Sequence, residues 1–291
     1  MLIPNFIKLF IKNRKKTHKP HKNKKPFLTF GLQIRELVNH NKLRSMSDSI
    51  VLIPTYNEKE NIENIIRAIL DLPKSFHILV IDDNSPDGTA VITKRLQKEF
   101  PEQLHILERQ KKEGLGRAYI AGFQWALKKE YGFIFEMDAD FSHNPNDLLK
   151  LYAACTEGGA DLAIGSRYIS GVNVVNWPMG RVLMSYFASK YVRCVTGLKI
   201  ADTTAGFKCY KRNVLETIDL KKIKFVGYAF QIEMKFTAYK CGFIIKEVPI
   251  IFINRELGVS KMTGHIFKEA VLGVLQLKWQ SFFKKYPQKQ Q

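Results

Sequence analysis

Two aspartates two residues apart, Asp138 and Asp140, close an apolar run in the stretch EMDADFSHNP. On an extended chain, side chains at i and i+2 point the same way, so the pair can converge on one cation just past a sheet edge. A hard divalent ion accepts carboxylate, water and phosphate oxygens together, which suits a phosphorylated substrate. The competing reading is local, because acidic residues also open turns and cap helices, and Asp140 could be such a cap. His143 can add a ligand or a hydrogen bond, although a loop histidine is more often neither.

Three other motifs carry similar chemistry. In DDNSPDG, Asp82 or Asp83 can accept hydrogen bonds from a base or a ribose, while Asn84 to Gly88 suit a tight turn. PTYNE offers Tyr56 as a ring platform and Glu58 as a hydroxyl acceptor or a charge on a first helical turn. Gly114 and Gly116 in EGLGRA suit either a phosphate approach or a tight turn. Arg167 in GSRY, Arg181, and Arg255 with Lys261 in NRELGVSK can offset a departing diphosphate beside a metal ion; singly, each reads as solvated surface. There is no GxGxxG after the first strand and no GxxxxGK[ST], which argues against a dinucleotide dehydrogenase or a P-loop enzyme.

These motifs need elements to hold them. Apolar runs at 50–55, 76–82, 104–109, 133–137 and 160–168 read as strands. Helical spacing fills the intervals, as in Ile62, Ile65, Ile66 and Ile69. Such alternation predicts a mostly parallel sheet flanked by helices, whose ligands collect beyond the carboxyl ends of strands. PTYNE, DDNSPDG, DAD and GSRY all fall at such ends. Further on, 178–197 predicts one or two helices, DTTAGFKCYKR a turn and strand, and FIIKEVPIIF one or two strands broken at Pro249. Ile266 to Phe283 is amphipathic, with a stripe of Ile266, Ala270, Val271, Val274, Leu275, Leu277 and Phe282. It suits a helix packed on the sheet or one lying on a membrane.

Charge divides the chain. Of a formal +19 over 291 residues, the first 45 contribute +11, from twelve Lys/Arg and the single acid Glu36. KNRKKTHKPHKNKKP is polar and poorly suited to a core. The expected organisation is a basic leader over 1–45, a catalytic domain over 46–265, and an amphipathic helix and basic tail over 266–291. Met46 opens MSDSIVLIPTYNE, so the leader could equally be an over-called start or a membrane-surface anchor. The four dispersed cysteines form no metal or disulfide framework.

Taken together, IPTYNE, DDNSPDGT, DADFSH, GSRY, DTTAGFK and NRELGVSK closely resemble the polyprenyl/dolichyl-phosphate mannosyltransferases of glycosyltransferase family 2, over about residues 49–263. The resemblance implies an α/β fold of the GT-A (Rossmann-like) nucleotide-sugar transferase type. It also implies GDP-mannose as donor, a Mg or Mn ion, a polyprenyl-phosphate lipid acceptor and inversion at the anomeric carbon. Pro54, Tyr56, Glu58 and Asp82 match its nucleotide-binding positions, with Asp83 alongside. Asp138 matches the acid near ribose and diphosphate, and Asp140 the principal metal ligand. Ser142 stands where some relatives carry a glutamine ligand, so its hydroxyl or a water would have to substitute. Arg167 and Arg255 match basic residues around the acceptor and donor phosphates, Lys261 lies in the loop that closes over the diphosphate, and Asp202 orders the acceptor side. The expected catalytic set is thus Asp140, Arg167, Asp202, Arg255 and Lys261. The enzyme would be peripheral on the cytoplasmic face of a membrane, docking directly or through a small integral-membrane partner subunit. A transferase using UDP-glucose or another UDP-sugar is the alternative within the class. A noncatalytic basic protein binding membrane or nucleic acid is the alternative outside it. Nucleic acid is disfavoured, because the charge concentrates in the leader rather than in an aromatic-interleaved groove.

Overall fold

The computed structural model describes residues 47–255 and 265–289. The leader and Lys261 therefore lie outside the described residues.

In chain order the elements are β1 (Ser49–Thr55), α1 (Ile62–Leu70), β2 (His77–Asp82), α2 (Thr89–Glu99), β3 (Leu104–Glu108), α3 (Leu115–Leu127), β4 (Phe133–Glu136), α4 (Asp147–Thr156) and β5 (Leu162–Ser166). There follow β6 (Val174–Val175), α5 (Met179–Thr196), β7 (Lys208–Lys211), α6 (Arg212–Thr217), α7 (Tyr228–Lys240), β8 (Ile245–Pro249), β9 (Phe252–Ile253) and α8 (His265–Gln280). Seven strands form one sheet in the order β3-β2-β1-β4-β7-β5-β8, and β6 pairs with β9 in a small parallel ribbon. Within the large sheet only β7 runs antiparallel, against both β4 and β5. The expected mostly parallel sheet is therefore present.

The apolar runs explain the layers. In β1, Ile50 and Leu52 enter the core on one face while Val51 and Ile53 enter the core on the other. A strand covered on both sides must be apolar throughout, which is why it shows no alternation. Helix α1 buries Ile62, Ile65, Ile66 and Ile69 as one stripe against that second core. On the opposite face α3 lies so close that a Cβ on Gly122 would stand 2.5 Å from Ile81 Cδ1. Gly116 serves packing too: its N–H donates to Val226 O at 2.8 Å, and a Cβ there would stand 2.7 Å from Phe225 O.

Strand order reverses direction at β1, with β2 on one side and β4 on the other, making this the switch point where loops diverge and leave a crevice. The loops after β1 and β4 carry PTYNE and DADFSH. The antiparallel β7 then sets Lys208 opposite Glu136. Both side chains are fully buried and pair at 3.1 Å. Glu136 also accepts from Tyr210 Oη at 2.9 Å and from Gln231 Nε2 at 2.8 Å, and Lys208 bonds Gln231 Oε1. Burial draws the Lys208 ammonium below its ordinary value, with Glu136 opposing.

Helix α8 corrects the expected stripe. Val274 and Leu277 are buried in the core beside α5 and α7, not against the sheet. Leu272, Leu275, Trp279 and Phe282 turn outward with Phe283, giving a second apolar face. Leu275 and Phe282 thus do not share a side with Val274, because the helix is clasped along one edge only.

Breaking the Glu136–Lys208 pair should cost more than removing it. Lys208→Met is expected to destabilise the fold by about 3–5 kcal/mol in urea unfolding, and Lys208→Met with Glu136→Gln to recover most of that loss. Equal losses in the single and double variants would contradict a coupled pair.

Candidate active site

The loops at the strand ends surround a cavity of about 1010 Å³. From β1 and β2 it is lined by Pro54, Tyr56, Glu58 and Asp83, and from the β4 loop by Asp138, Asp140, Ser142 and His143. Arg167, Trp177, Arg181 and Arg255 add basic and aromatic surface. Helices α5, α7 and α8 contribute an apolar wall that includes Tyr191, Val192, Ile232, Val271 and Val274.

The β4 loop is a tight turn built on Asp140. Its Oδ1 accepts from Ser142 N at 3.1 Å and from Ser142 Oγ at 2.5 Å, and its Oδ2 accepts from Arg255 at 2.7 Å. The turn puts Phe141 at φ 58°, a left-handed conformation uncommon for an aromatic residue, which costs on the order of 1–3 kcal/mol and clusters at functional sites. Asp140 therefore closes a turn as well as lining the cavity, and caps no helix, since the residue ahead of α4 is Asn146. Burial acts to raise its acid, but the Ser142 bond and the Arg255 charge hold it below the ordinary range. Asp138 goes the other way: burial, then the Asp140 carboxylate, push it up to about 7, with Glu136 and Glu58 adding to the effect. His143 is stacked on Phe207 at 4.8 Å and its Nδ1 faces Asp138 N at 3.4 Å. Burial lowers its pKa to about 4, so it is a neutral acceptor.

At the β1 and β2 ends the two loops clamp each other. Asn57 N donates to Ser85 Oγ at 3.0 Å, Lys59 N to Asp87 at 3.0 Å, and Glu58 N to Thr89 Oγ1 at 3.0 Å. Asp82 accepts from Thr55 Oγ1 at 2.9 Å, Ser85 N at 2.8 Å and Ser85 Oγ at 2.6 Å. It organises the turn and is not among the cavity-lining residues, whereas Asp83 lines the wall. Of the two acids offered by DDNSPDG, Asp83 is thus the one that faces the cavity, while the Asp82 oxygens are taken up by the turn. Arg109 holds Asp83 at 2.6 Å, and Lys112 Nζ lies 4.3 Å over the Tyr56 ring. Glu58 accepts from Asn61 Nδ2 at 3.1 Å and stands 3.9 Å from Arg255.

On the other side Arg167 forks onto Asp202, Nε to Oδ2 at 2.6 Å and NH2 to Oδ1 at 2.7 Å, with a further bond to Thr204 Oγ1. Glu247 in turn accepts from Ala201 N at 2.6 Å and Asp202 N at 2.8 Å, fixing that loop. Arg181 donates to Asn254 Oδ1 at 2.9 Å and lies 4.0 Å over Trp177. The expected site residues thus meet in one cavity or directly behind it, apart from Lys261, which is outside the described residues.

Whether a divalent ion fits is a question of donors. Among the described residues no group of three or more His, Cys, Asp or Glu is arranged to cage a metal. Asp138 and Asp140, with the Ser142 hydroxyl already bonded to Asp140, instead make the kind of set that holds Mg²⁺ or Mn²⁺ with waters and substrate phosphates. Both carboxylates line the cavity, and Arg255 pairs with the Oδ2 of Asp140. The residues fit such an ion as a substrate-completed site.

A carboxylate-lined crevice at a doubly wound switch point narrows the family, and the sequence comparison decides it: the family model described as glycosyl transferase family 2 matches residues 50–219. The chain belongs to glycosyl transferase family 2. This glycosyltransferase is 47% identical over 232 residues to a polyprenol monophosphomannose synthase of Mycolicibacterium smegmatis, covering 80% of this chain and 87% of that one. It is 45% identical over 225 residues to an undecaprenyl-phosphate mannosyltransferase of Micrococcus luteus, covering 77% and 91%. Among solved structures it resembles glucosyl-3-phosphoglycerate synthase of Mycobacterium tuberculosis, in complex with Mn²⁺ and UDP, at a TM-score of 0.60, with 16% identity and coverage of 91% and 87%. It also resembles a mannosyltransferase of Pyrobaculum calidifontis, in complex with GDP-Man and Mn²⁺, at a TM-score of 0.53, with 15% identity and coverage of 89% and 74%. The fold is GT-A.

Several members of this family 2 site are silent in the sequence. Glu247, Arg109 and Asn254 are single polar residues whose partners lie far along the chain. Lys208 left a trace, being a charge inside an apolar strand, but its meaning depends on the register with Glu136.

The Arg167–Asp202 fork yields a prediction with a sign. Burial acts to raise the Asp202 acid, and the Arg167 guanidinium overrides it and holds the group below its ordinary 3.8. A depressed native value contributes stability above the unfolded value that is lost as pH falls through the native one. Arg167→Met leaves a buried carboxylate uncompensated, so a loss of about 3–5 kcal/mol is expected at pH 7. That loss should shrink toward pH 4, where the orphaned acid takes up a proton. Urea midpoints at the two pH values test this, and a pH-independent loss would rule it out.

Proposed function

We propose that this glycosyltransferase moves mannose from GDP-mannose to a polyprenyl monophosphate, inverting the anomeric carbon. One observation carries the reading: a single cavity joins an acidic strand-end cluster, three arginines and an apolar helical wall. A nucleotide sugar needs the first, a phosphate the second, and an isoprenoid chain the third. The names of both curated relatives, which specify a mannose transfer and a polyprenol-type phosphate, support the same acceptor. The GT-A neighbours hold Mn²⁺ with GDP-Man in the mannosyltransferase and with UDP in the glucosyl-3-phosphoglycerate synthase.

In this reading Tyr56, with Lys112 over it, stacks on the base, and Glu58 and Asp83 accept from base or ribose. Asp140, assisted by Asp138, would hold a Mg or Mn ion that neutralises the diphosphate. Arg255 moves its charge from Asp140 to the donor phosphates, and Lys261 is assigned beside it by family resemblance. Arg181 and Arg167 receive the acceptor phosphate. A phosphate oxygen attacks the anomeric carbon, the bond to the diphosphate breaks, and GDP leaves with the electron pair. The nucleophile is already ionised, so no proton has to be removed.

The acceptor lies in a bilayer, and no described helix is long and apolar enough to cross one. The exposed faces of α5 (Met179, Leu183, Phe187) and α8 (Leu272, Leu275, Trp279, Phe282) suit peripheral docking, with Lys278, Lys284 and Lys285 near the α8 face. A small membrane-spanning partner is the other occupant for these faces.

Purified protein with Mg²⁺ or Mn²⁺ and polyprenyl phosphate is expected to transfer label from GDP-mannose and not from UDP-glucose. Asp140→Ala should lower turnover by about 10²–10³-fold, and chelation should abolish it. Labelling from UDP-glucose alone would replace the donor, and no labelling from any donor would sink the assignment. Trp279→Ser with Phe283→Ser should weaken flotation with anionic vesicles while sparing turnover of a short-chain soluble acceptor. Unchanged flotation would move docking to a partner.

A further inference from the structure

Gln231 sits on the first turns of α7, lines the cavity and is 3% exposed. The proposed transfer gives it no role. Its amide is fixed by two partners of opposite kind: Nε2 donates to Glu136 Oε2 at 2.8 Å, and Oε1 accepts from Lys208 Nζ. An ammonium only donates and a carboxylate only accepts, so the amide cannot be flipped in place. One N–H and one lone pair remain beyond those two bonds.

The cavity floor keeps that amide open. A Cβ on Gly206 would have Gln231 Nε2 as its nearest neighbour, at 3.6 Å. Gly206 is not among the glycines with positive φ, so its backbone does not require glycine. What a side chain there would do is cover the amide. Gly206, Gln231 and Asp138 line the same cavity, and the Asp138 charge acts on Lys208, which places this amide beside the acidic cluster that receives the diphosphate. A neutral N–H with an adjacent lone pair does not compensate a phosphate, and an isoprenoid offers it nothing to bond. It matches a hydroxyl, which donates and accepts at once.

We infer that Gln231 hydrogen-bonds a hydroxyl of the transferred hexose, with Gly206 left bare to admit the ring edge, so that the pair selects the sugar. This rests on the cavity being a nucleotide-sugar site as proposed above. The Glu136–Lys208 pair acts through Gln231 as a positioning device, setting which amide atom faces the sugar. A buried polar group built to bond a substrate hydroxyl rejects the analogue lacking it far more strongly than an apolar pocket rejects a missing methylene.

The test is calorimetric titration, with Mn²⁺ present, of the wild type, Gln231→Met and Gly206→Val. The ligands are GDP, GDP-mannose, its monodeoxy analogues, UDP and UDP-glucose. In the wild type, one monodeoxy donor is expected to bind at least about tenfold more weakly than the parent, the rest within about threefold. Both variants should bind the free nucleotide as the wild type does, lose about tenfold or more for the sugar nucleotide, and cease to distinguish the deoxy analogues. Thermal melts report whether each variant is folded. A flat deoxy series on the wild type overturns the inference without any variant, as does an unchanged sugar increment in Gln231→Met and Gly206→Val. A parallel loss for free nucleotide would make Gln231 structural. Binding of UDP-glucose in place of GDP-mannose would reject the mannosyl reading, and the same comparison with deoxyglucose analogues would then decide Gln231 separately.

Discussion

Four carboxylates, Glu58, Glu136, Asp138 and Asp140, converge where β1 and β4 end, and their repulsion is the constraint that the rest of the site answers. Like charges in a partly dry crevice cannot all ionise without compensation. The consequence is visible at Asp138, whose acid is pushed up to about 7 by burial and by the three neighbours. A fold that stopped at four parallel strands would leave this cluster uncompensated.

Compensation comes in two forms. Lys208 answers Glu136 permanently, fully buried and locked by strand register. Arg255 answers Asp140 from a partly exposed position just beyond β9, at 2.7 Å, on the wall of the cavity. The β6–β9 ribbon explains why Arg255 arrives there: Ile253 N donates to Ser142 O at 3.2 Å, and Asn254 N donates to Val175 O at 3.0 Å. The backbone that pins the aspartate turn therefore also delivers its counter-charge. Phe252 in the same ribbon packs against His143 and Trp177, which ties the aspartate turn to the arginine side.

What could be read along the chain follows the range of the interactions. The sheet and α1 were legible because Ile62, Ile65, Ile66 and Ile69 mark a face within three turns. The strand-end motifs were legible because ligands gather at carboxyl ends, and Asp138, Asp140, Glu58 and Asp83 do line one cavity. Asp82 and Asp83 could not be told apart along the chain, because an acid beside a turn looks the same whether its oxygens face the cavity or, as at Asp82, Ser85. The two-sided character of α8 needed the position of α5 and α7, since periodicity reports a stripe and not its cover. Gln231 and Glu247 were out of reach, their meaning resting on partners 95 and about 45 residues away.

The titrating groups in the cavity also bear on the nucleophile. Among the described residues His143 is the one histidine of the lining, and it is buried, neutral and weakly basic at about 4. Asp138 is pushed up to about 7 by burial first and by the Asp140 carboxylate second, and positive charge beside the pair acts against the second of these. A transferase that must deprotonate a sugar hydroxyl depends on a base that survives donor binding. A lipid phosphate needs none, since it enters already ionised and asks instead for positive charge and an apolar path. Arg181 over Trp177, Arg167 beside it, and the wall of Val192, Ile232 and Val274 supply those two things in one cavity. The arginines and the apolar wall thus suit a phosphate carried on an apolar chain, the kind of acceptor that the names of both curated relatives specify.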